Sequence, residues 1–244
     1  MRLLSYNIHK GIGGLDRRYD LERIIKVIEH ENPDLICLQE VTRHAGRTNH
    51  DDQPNLLFTR FASVAQLYQM TVHYRKGGYG NLILSRWPIR ESQHLCLRRG
   101  MRKPRGVQLA KIETPNGMLS LANWHLGLRE RERHWQVDKL LHHPWFQEAS
   151  RTPTLIVGDF NDWRNRLAEA TLSEHGYIEA TRPSSRFRSF PAFLSVLSLD
   201  KAFHKNELEI SDARIVRTSL ARRASDHLPL VIDFHLPSSG NAWE

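Results

Sequence analysis

Apolar positions along the chain fall into short runs that switch between two periods. Leu3 to Ile8 alternates closely enough for a strand. Leu21, Ile24, Ile25 and Ile28 recur at helical spacing behind Asp20, an N-cap residue type, and Asn32-Pro33 stops that helix. "DLICLQEV" (34–41) follows as a buried strand ending in Glu40. The pattern then predicts a helix over 55–66 and strands near 71–74, 80–85, 93–97 and 106–112. Asn116-Gly117 is a hairpin signal, with "LSLANWHL" (119–126) as the returning strand. Residues 129–142 read as a charged amphipathic helix, 154–158 as a strand, and 163–175 as a helix that Asp162 can cap. An irregular Pro/Ser/Phe stretch precedes strands near 199–203, 208–215 and 229–235. The hairpin makes at least one strand pair antiparallel, and helices and strands do not alternate strictly, which argues against a pure parallel sheet. The expected fold is α/β: a four-layered sandwich in which two mixed sheets pack face to face with helices outside.

Composition narrows this little. The 244 residues show no linker, repeat or low-complexity run, so one domain over 1–244 is expected. No apolar leader and no run of about 18 apolar residues is present, so a soluble, cytoplasmic chain without a transmembrane segment is the expectation, as a monomer. Cys37 and Cys96 are too few for a disulfide framework or a zinc site. The formal charge is +8, and basic residues cluster in 98–105, 129–133, 182–188 and 214–223. Such a surface fits a polyanionic partner, either nucleic acid, an anionic membrane face or a phosphorylated ligand, or simply a solvated exterior.

The chemistry lies where the apolar runs stop. Asn7 ends the first strand, Glu40 the second, and His125 stands near the end of "LSLANWH". Asp159 and Asn161 follow "LIVG", Asp200 sits in "LSLDKAF", and Asp226 and His227 precede the last strand. One such residue makes a turn; six segments repeating the arrangement predict a rim of strand ends around one cleft. Carboxylates, carboxamides and histidines without thiolates suit a hard cation, Mg²⁺ or Mn²⁺. The motifs of serine hydrolases, zinc proteases and P-loop enzymes are absent from the sequence. His142 and His143 read as surface residues at a helix end, and "GIGG" (11–14) as a turn.

Taken in order, "LLSYNIH", "PDLICLQEV", "YGNLILSRWPI", "NWHLGL", "LIVGDFND", "LDKAF" and "SDHLPLVIDF" resemble the endonuclease/exonuclease/phosphatase superfamily, and in particular its small bacterial members of unassigned substrate. The resemblance runs from residue 3 to 235 and implies a metal-dependent phosphoester hydrolase that uses an activated water. It implies Glu40 as the main metal ligand with Asn7 beside it and Asp226 near. Asp159 would align or deprotonate the water, and Asn161 would hold the water or a phosphate oxygen. His227, oriented by Asp200, would stabilise the phosphoryl oxygens. His125 would bind phosphate or assist the leaving group, and Arg105 would clamp phosphate. One position departs from the family pattern: Lys103 stands where relatives carry the acidic partner of the histidine matching His125, which puts an acid/base role for His125 in question. Net charge favours nucleic acid as the substrate. The apolar residues from Phe187 to Leu197 favour a phospholipid or sphingomyelin-type substrate at a membrane surface, and a non-catalytic phosphate-binding module is the third reading.

Overall fold

The computed structural model describes residues 1–169 and 171–237, and in them two six-stranded mixed sheets stack face to face. In the first sheet β1 (Arg2–Asn7) and β2 (Leu35–Arg43) run parallel, joined by the crossover helix α1 (Leu21–Glu31). Asp20 accepts from Arg23 N at the start of α1, and Asn32 ends the helix in the left-handed conformation. Strands β3 (Ala65–His73) and β4 (Gly78–Ser85) extend the sheet beyond β2.

The second sheet repeats the plan. Strands β5 (Ile89–Cys96), β6 (Gly106–Thr114) and β7 (Gly117–His125) are antiparallel neighbours. Strand β7 then runs parallel to β8 (Thr154–Asp159) after a crossover through α3 (Glu130–Leu141) and α4 (Pro144–Ala149); α2 (Gln53–Arg60) belongs to the first half. The short β9 (Ile178–Glu179) and β10 (Asp200–Lys205) complete this sheet, while β11 (Glu209–Ile215) and β12 (Leu230–His235) return to the first.

The central strands are buried on both faces, and their side chains divide between two layers of core. In β7, Leu119 and Leu121 pack between the sheets, whereas Ala122 and Trp124 pack outward against Val137, Leu140 and Phe146 of α3 and α4. On the other outer face, α1 lies beside the short helix Ser219–Ala224. This is the expected four-layered sandwich.

Several boundaries differ from the sequence pattern. The helix expected over 55–66 ends at Arg60, because Ala62 takes a positive φ of 44° and the chain turns into β3. The helix expected over 163–175 is two single turns, Arg166–Glu169 and Thr171–Glu174, with Ala170 outside the described residues. Asn165, at φ 59°, prevents an earlier start, and Asp162 caps later than expected, accepting from Leu167 N at 2.8 Å. At the hairpin the two loop residues are Pro115 and Asn116, since Thr114 pairs with Gly117.

A polar bridge crosses the otherwise apolar space between the sheets. Gln39 of β2 donates to Asn123 Oδ1 of β7 at 2.8 Å, and Asn123 Nδ2 faces Leu38 O, Leu82 O and Gln108 Oε1 at 3.0–3.2 Å. Both side chains are fully buried. Asn123→Leu leaves several of these groups unpaired, and we expect a loss of at least about 2 kcal/mol of stability in urea denaturation. An unchanged midpoint would show that the bridge contributes nothing.

Candidate active site

The two parallel pairs, β1–β2 and β7–β8, bring their carboxyl ends to one end of the sandwich. Asn7 closes β1, Glu40 lies near the end of β2, His125 closes β7 and Asp159 closes β8. Register then adds neighbours. His125 and Asp200 are the Cα partners of Asp159 on either side. Leu230 pairs with Ser5, so Asp226 and His227 stand just beyond the start of β12, beside the end of β1. Residues from six chain segments thus line or back one cleft of about 430 Å³.

Two backbone irregularities aim the side chains. The β2–β4 register shifts between Leu38 and Val41, and within that bulge Glu40 adopts φ 58°; a bulge of this kind turns a side chain out of the strand's alternation. Gly158, at φ 138°, lies so close to β7 that a Cβ there would meet Trp124 O at 2.1 Å. Only glycine permits this approach, which brings Asp159 alongside His125.

Asp159 is held at both oxygens. Asn161 N donates to Oδ1 at 3.0 Å and Asn7 Nδ2 to Oδ2 at 3.0 Å. Asp159 Oδ2 also lies 3.3 Å from His125 Nε2 and 3.7 Å from His227 Nε2. Asn161, in the left-handed region at φ 52°, is fastened by its Nδ2 to Leu126 O at 3.0 Å. His227 Nδ1 donates to Asp200 Oδ2 at 2.8 Å, across 27 positions of sequence, and the hydroxyl of Ser189 donates to that same oxygen. Ser225 ties the two sides together: its hydroxyl donates to Asn7 O at 2.8 Å and accepts from His227 N at 3.3 Å.

Charge separates these groups into different roles. Burial pushes the Asp159 carboxyl up to about 6, although the His227 charge and the Asn7 hydrogen bond pull the other way. Burial opposes the His227 charge, but Asp200 and Asp159 outweigh it and raise its pKa to about 10. His227 is therefore an imidazolium at neutral pH. His125 goes the opposite way. Burial, with Arg105 and His227 beside it, lowers its pKa well below the ordinary value, so it is neutral. Two histidines set apart in charge around one buried carboxylate is a pattern of acid–base chemistry.

On the opposite wall, the partial burial of Glu40 disfavours its charge, yet the ammonium of Lys10 paired with it holds the carboxyl below its usual range. Glu40 Oε1 lies 3.9 Å from His125 Nδ1. Lys103, the residue that departs from the family pattern, stands with its Nζ 5.4 Å from the Tyr79 ring centroid. Its charge, with that of Lys10, helps keep His125 neutral. The carboxylates near His125 are accordingly Asp159 and Glu40. Arg105 lines the cleft and is 6 % exposed; its Nε has no hydrogen-bond partner, and no carboxylate among the described residues pairs with it. Asp226 lines the cleft at the rim, with Oδ1 3.8 Å from His9 Nδ1.

The structure thus gathers Asn7, Glu40, His125, Asp159, Asn161, Asp226, His227 and Arg105 around the cleft, with Asp200 behind His227. Sequence reading missed Lys10, Ser189 and Ser225, none of which lies in an apolar period. It also missed Leu128 and Trp163, which line the mouth.

The "Endonuclease/Exonuclease/phosphatase family" pattern matches residues 4–227. The "Uncharacterized protein YbhP" of Escherichia coli (strain K12) is 31 % identical over 247 aligned residues, covering 96 % of each chain. Among solved structures, an endonuclease/exonuclease/phosphatase from Beutenbergia cavernae DSM 12333 superposes with a TM-score of 0.81 at 22 % identity, over 99 % of this chain and 73 % of that one. The human Nocturnin catalytic domain with bound sulfate superposes with a TM-score of 0.72 at 21 % identity, over 97 % and 93 %. Fold, length of match and identity to the bacterial relative agree, and the chain belongs to the endonuclease/exonuclease/phosphatase family.

Proposed function

We propose that the cleft hydrolyses a phosphodiester with the help of Mg²⁺ or Mn²⁺, by direct attack of a water that Asp159 aligns and deprotonates. The observation that carries this is the setting of Asp159, a buried carboxylate between a neutral and a charged histidine. A module that only binds phosphate has no need of such a base.

The donor set fits a hard divalent cation. Glu40, Asn7 Oδ1 and Asp226 offer oxygen ligands from neighbouring strand ends. An ion that takes one or two carboxylates and keeps several waters needs no larger set of protein ligands. Glu40, with Asn7 beside it, would hold the ion, and Asp226 would stand near. When bound, the ion would polarise a phosphoryl oxygen and lower the pKa of water.

The remaining roles follow from the chain itself. Asp159 takes the proton of the attacking water, whose oxygen bonds to phosphorus as the bond to the leaving oxygen breaks. Asn161 holds the water or a phosphate oxygen. The His227 imidazolium, oriented by Asp200, donates to a phosphoryl oxygen as charge builds there. Arg105, with its unpaired Nε, clamps a second oxygen. His125 binds phosphate through one N–H.

Net charge favours a nucleic acid, but the basic run 98–105 supports a narrower reading. Arg99 donates to Arg131 O at 2.6 Å and lies 5.8 Å from the Trp135 centroid. Arg102 pairs with Glu132 at 3.1 Å, and Arg98 Nε donates to Gly100 O at 3.1 Å. Lys103 and Arg105 are the members of the run that line the cleft, a clamp for one phosphate more than a track for a strand. Nucleic acid is thus the second reading, favoured by net charge. A monomer working in the cytoplasm belongs to the same proposal.

The test is turnover of bis-p-nitrophenyl phosphate by the full chain after removal of metal. We expect turnover with added Mn²⁺ or Mg²⁺ and none with excess EDTA. Turnover independent of metal, or none with either ion on that diester or on p-nitrophenyl phosphate, would overturn the proposal.

A further inference from the structure

Eleven large hydrophobic side chains are exposed among the described residues, and six of them gather around this one cleft. Met101, Leu128, Trp163, Phe193, Leu194 and Val196 are 45–94 % exposed. Leu128 and Trp163 line the cleft itself. Met101 and Leu128 line an adjoining hollow of about 550 Å³ that shares Lys103, Arg105 and Leu128 with it. Phe193, Leu194 and Val196 form the tip of a loop whose two ends, Phe190 and Leu197, line the cleft.

That loop is built to keep its tip outward. Phe190 and Leu197 exchange backbone hydrogen bonds at 3.0 and 2.8 Å. Ala192 is buried, its N–H donates to Asp226 O at 2.7 Å, and its carbonyl accepts from Arg222 Nη1 at 2.9 Å. The small residue is turned inward and the three large ones into solvent. A lone exposed hydrophobic is ordinary, but a cluster rimmed by charge marks an interaction surface.

The charge at this face is positive. Arg164 stacks over Trp163 at 4.5 Å, and Lys103 and Arg129 line the hollow beside Met101. Aliphatic side chains interleaved with cations and one exposed indole fit a bilayer interface, where the apolar groups enter the acyl boundary and the cations meet anionic headgroups. Four of the six, Met101, Leu128, Leu194 and Val196, carry no ring on which a base could stack, which separates this surface from a single-strand platform. No helix of the described residues is long and apolar enough to cross a membrane, so contact through those helices is peripheral.

We propose that the mouth of the cleft docks on an anionic phospholipid bilayer, with the loop tip 193–196, Met101 and Leu128 inserted beside the catalytic opening. The inference rests on the hydrolase reading for its purpose: docking presents a membrane-borne phosphodiester directly to Asp159 and Arg105.

The experiment is co-sedimentation with vesicles of phosphatidylcholine alone or mixed equally with phosphatidylglycerol. It is run for the wild type and for Leu194→Ser with Val196→Ser, alongside turnover of soluble bis-p-nitrophenyl phosphate. Both replaced residues are exposed and outside the catalytic set, so turnover and thermal midpoint should be retained. We expect the wild type to sediment with the mixed vesicles and not with phosphatidylcholine alone. The variant should lose at least about tenfold in partitioning. Absence of wild-type binding to the mixed vesicles, equal binding by the variant, or tight binding to a single-stranded oligonucleotide without vesicle binding would overturn the docking surface. Since sedimentation needs no turnover, loss of docking with turnover intact leaves the hydrolase reading standing. Docking with no turnover under either ion overturns the hydrolase reading instead.

Discussion

Asp159→Asn is expected to lower kcat on a phosphodiester by about 10²–10⁴, the range for loss of a general base. The substitution is nearly isosteric, so the question is what the amide does to the local bonds. Asp159 accepts from Asn161 N on one oxygen and from Asn7 Nδ2 on the other. An Asn keeps one acceptor and turns an NH₂ toward the other donor, which weakens one bond but relieves the burial of a charge. The fold should therefore survive, with an unchanged circular dichroism spectrum and KM altered by a few-fold at most. A folded variant with near-normal kcat, measured where chemistry limits the rate, would remove Asp159 from its role.

Glu40→Gln carries the second large effect, on the metal. Its position within a bulge keeps the side chain outside the regular strand ladder, so the replacement should cost little structure. What it removes is the charge that Lys10 now balances and that a divalent ion would use. Loss of a group that merely supports a ligand costs about 10–100-fold in metal affinity, and loss of the main carboxylate should cost at least as much. Calorimetric titration of Mn²⁺ into the metal-free chain reads this without turnover. Equal affinity in the variant and the wild type would take Glu40 out of the site.

The strands that build the rim were legible because each is an apolar run with a polar residue at its end, and a buried strand cannot continue through Glu40 or Asp159 without a reason. The layers were legible for the same cause: β7 and β8 have no polar face to show to water. Less could be read where stability comes from across the fold. The 163–175 segment has a helical composition, but Asn165 in the left-handed region restarts the chain, and no period signals that. Asn123 and Gln39 look like ordinary strand positions, and their bond spans 84 residues. Ser189, which supports Asp200, lies in the stretch that reads only as irregular. The basic run 98–105 shows the reverse problem. Its charges are obvious, yet Arg102 is committed to Glu132 and Arg99 to a backbone carbonyl, so a count of cations overstates what faces the cleft.

The proposed attack of an Asp159-activated water straight on phosphorus passes through no covalent enzyme intermediate. A chiral phosphorothioate diester hydrolysed in H₂¹⁸O with Mn²⁺ reports on that step, because each in-line displacement inverts phosphorus once. One displacement by water predicts inversion of configuration in the product. Retention would require two successive displacements, and so a nucleophile on the protein, and would rule out direct attack by water.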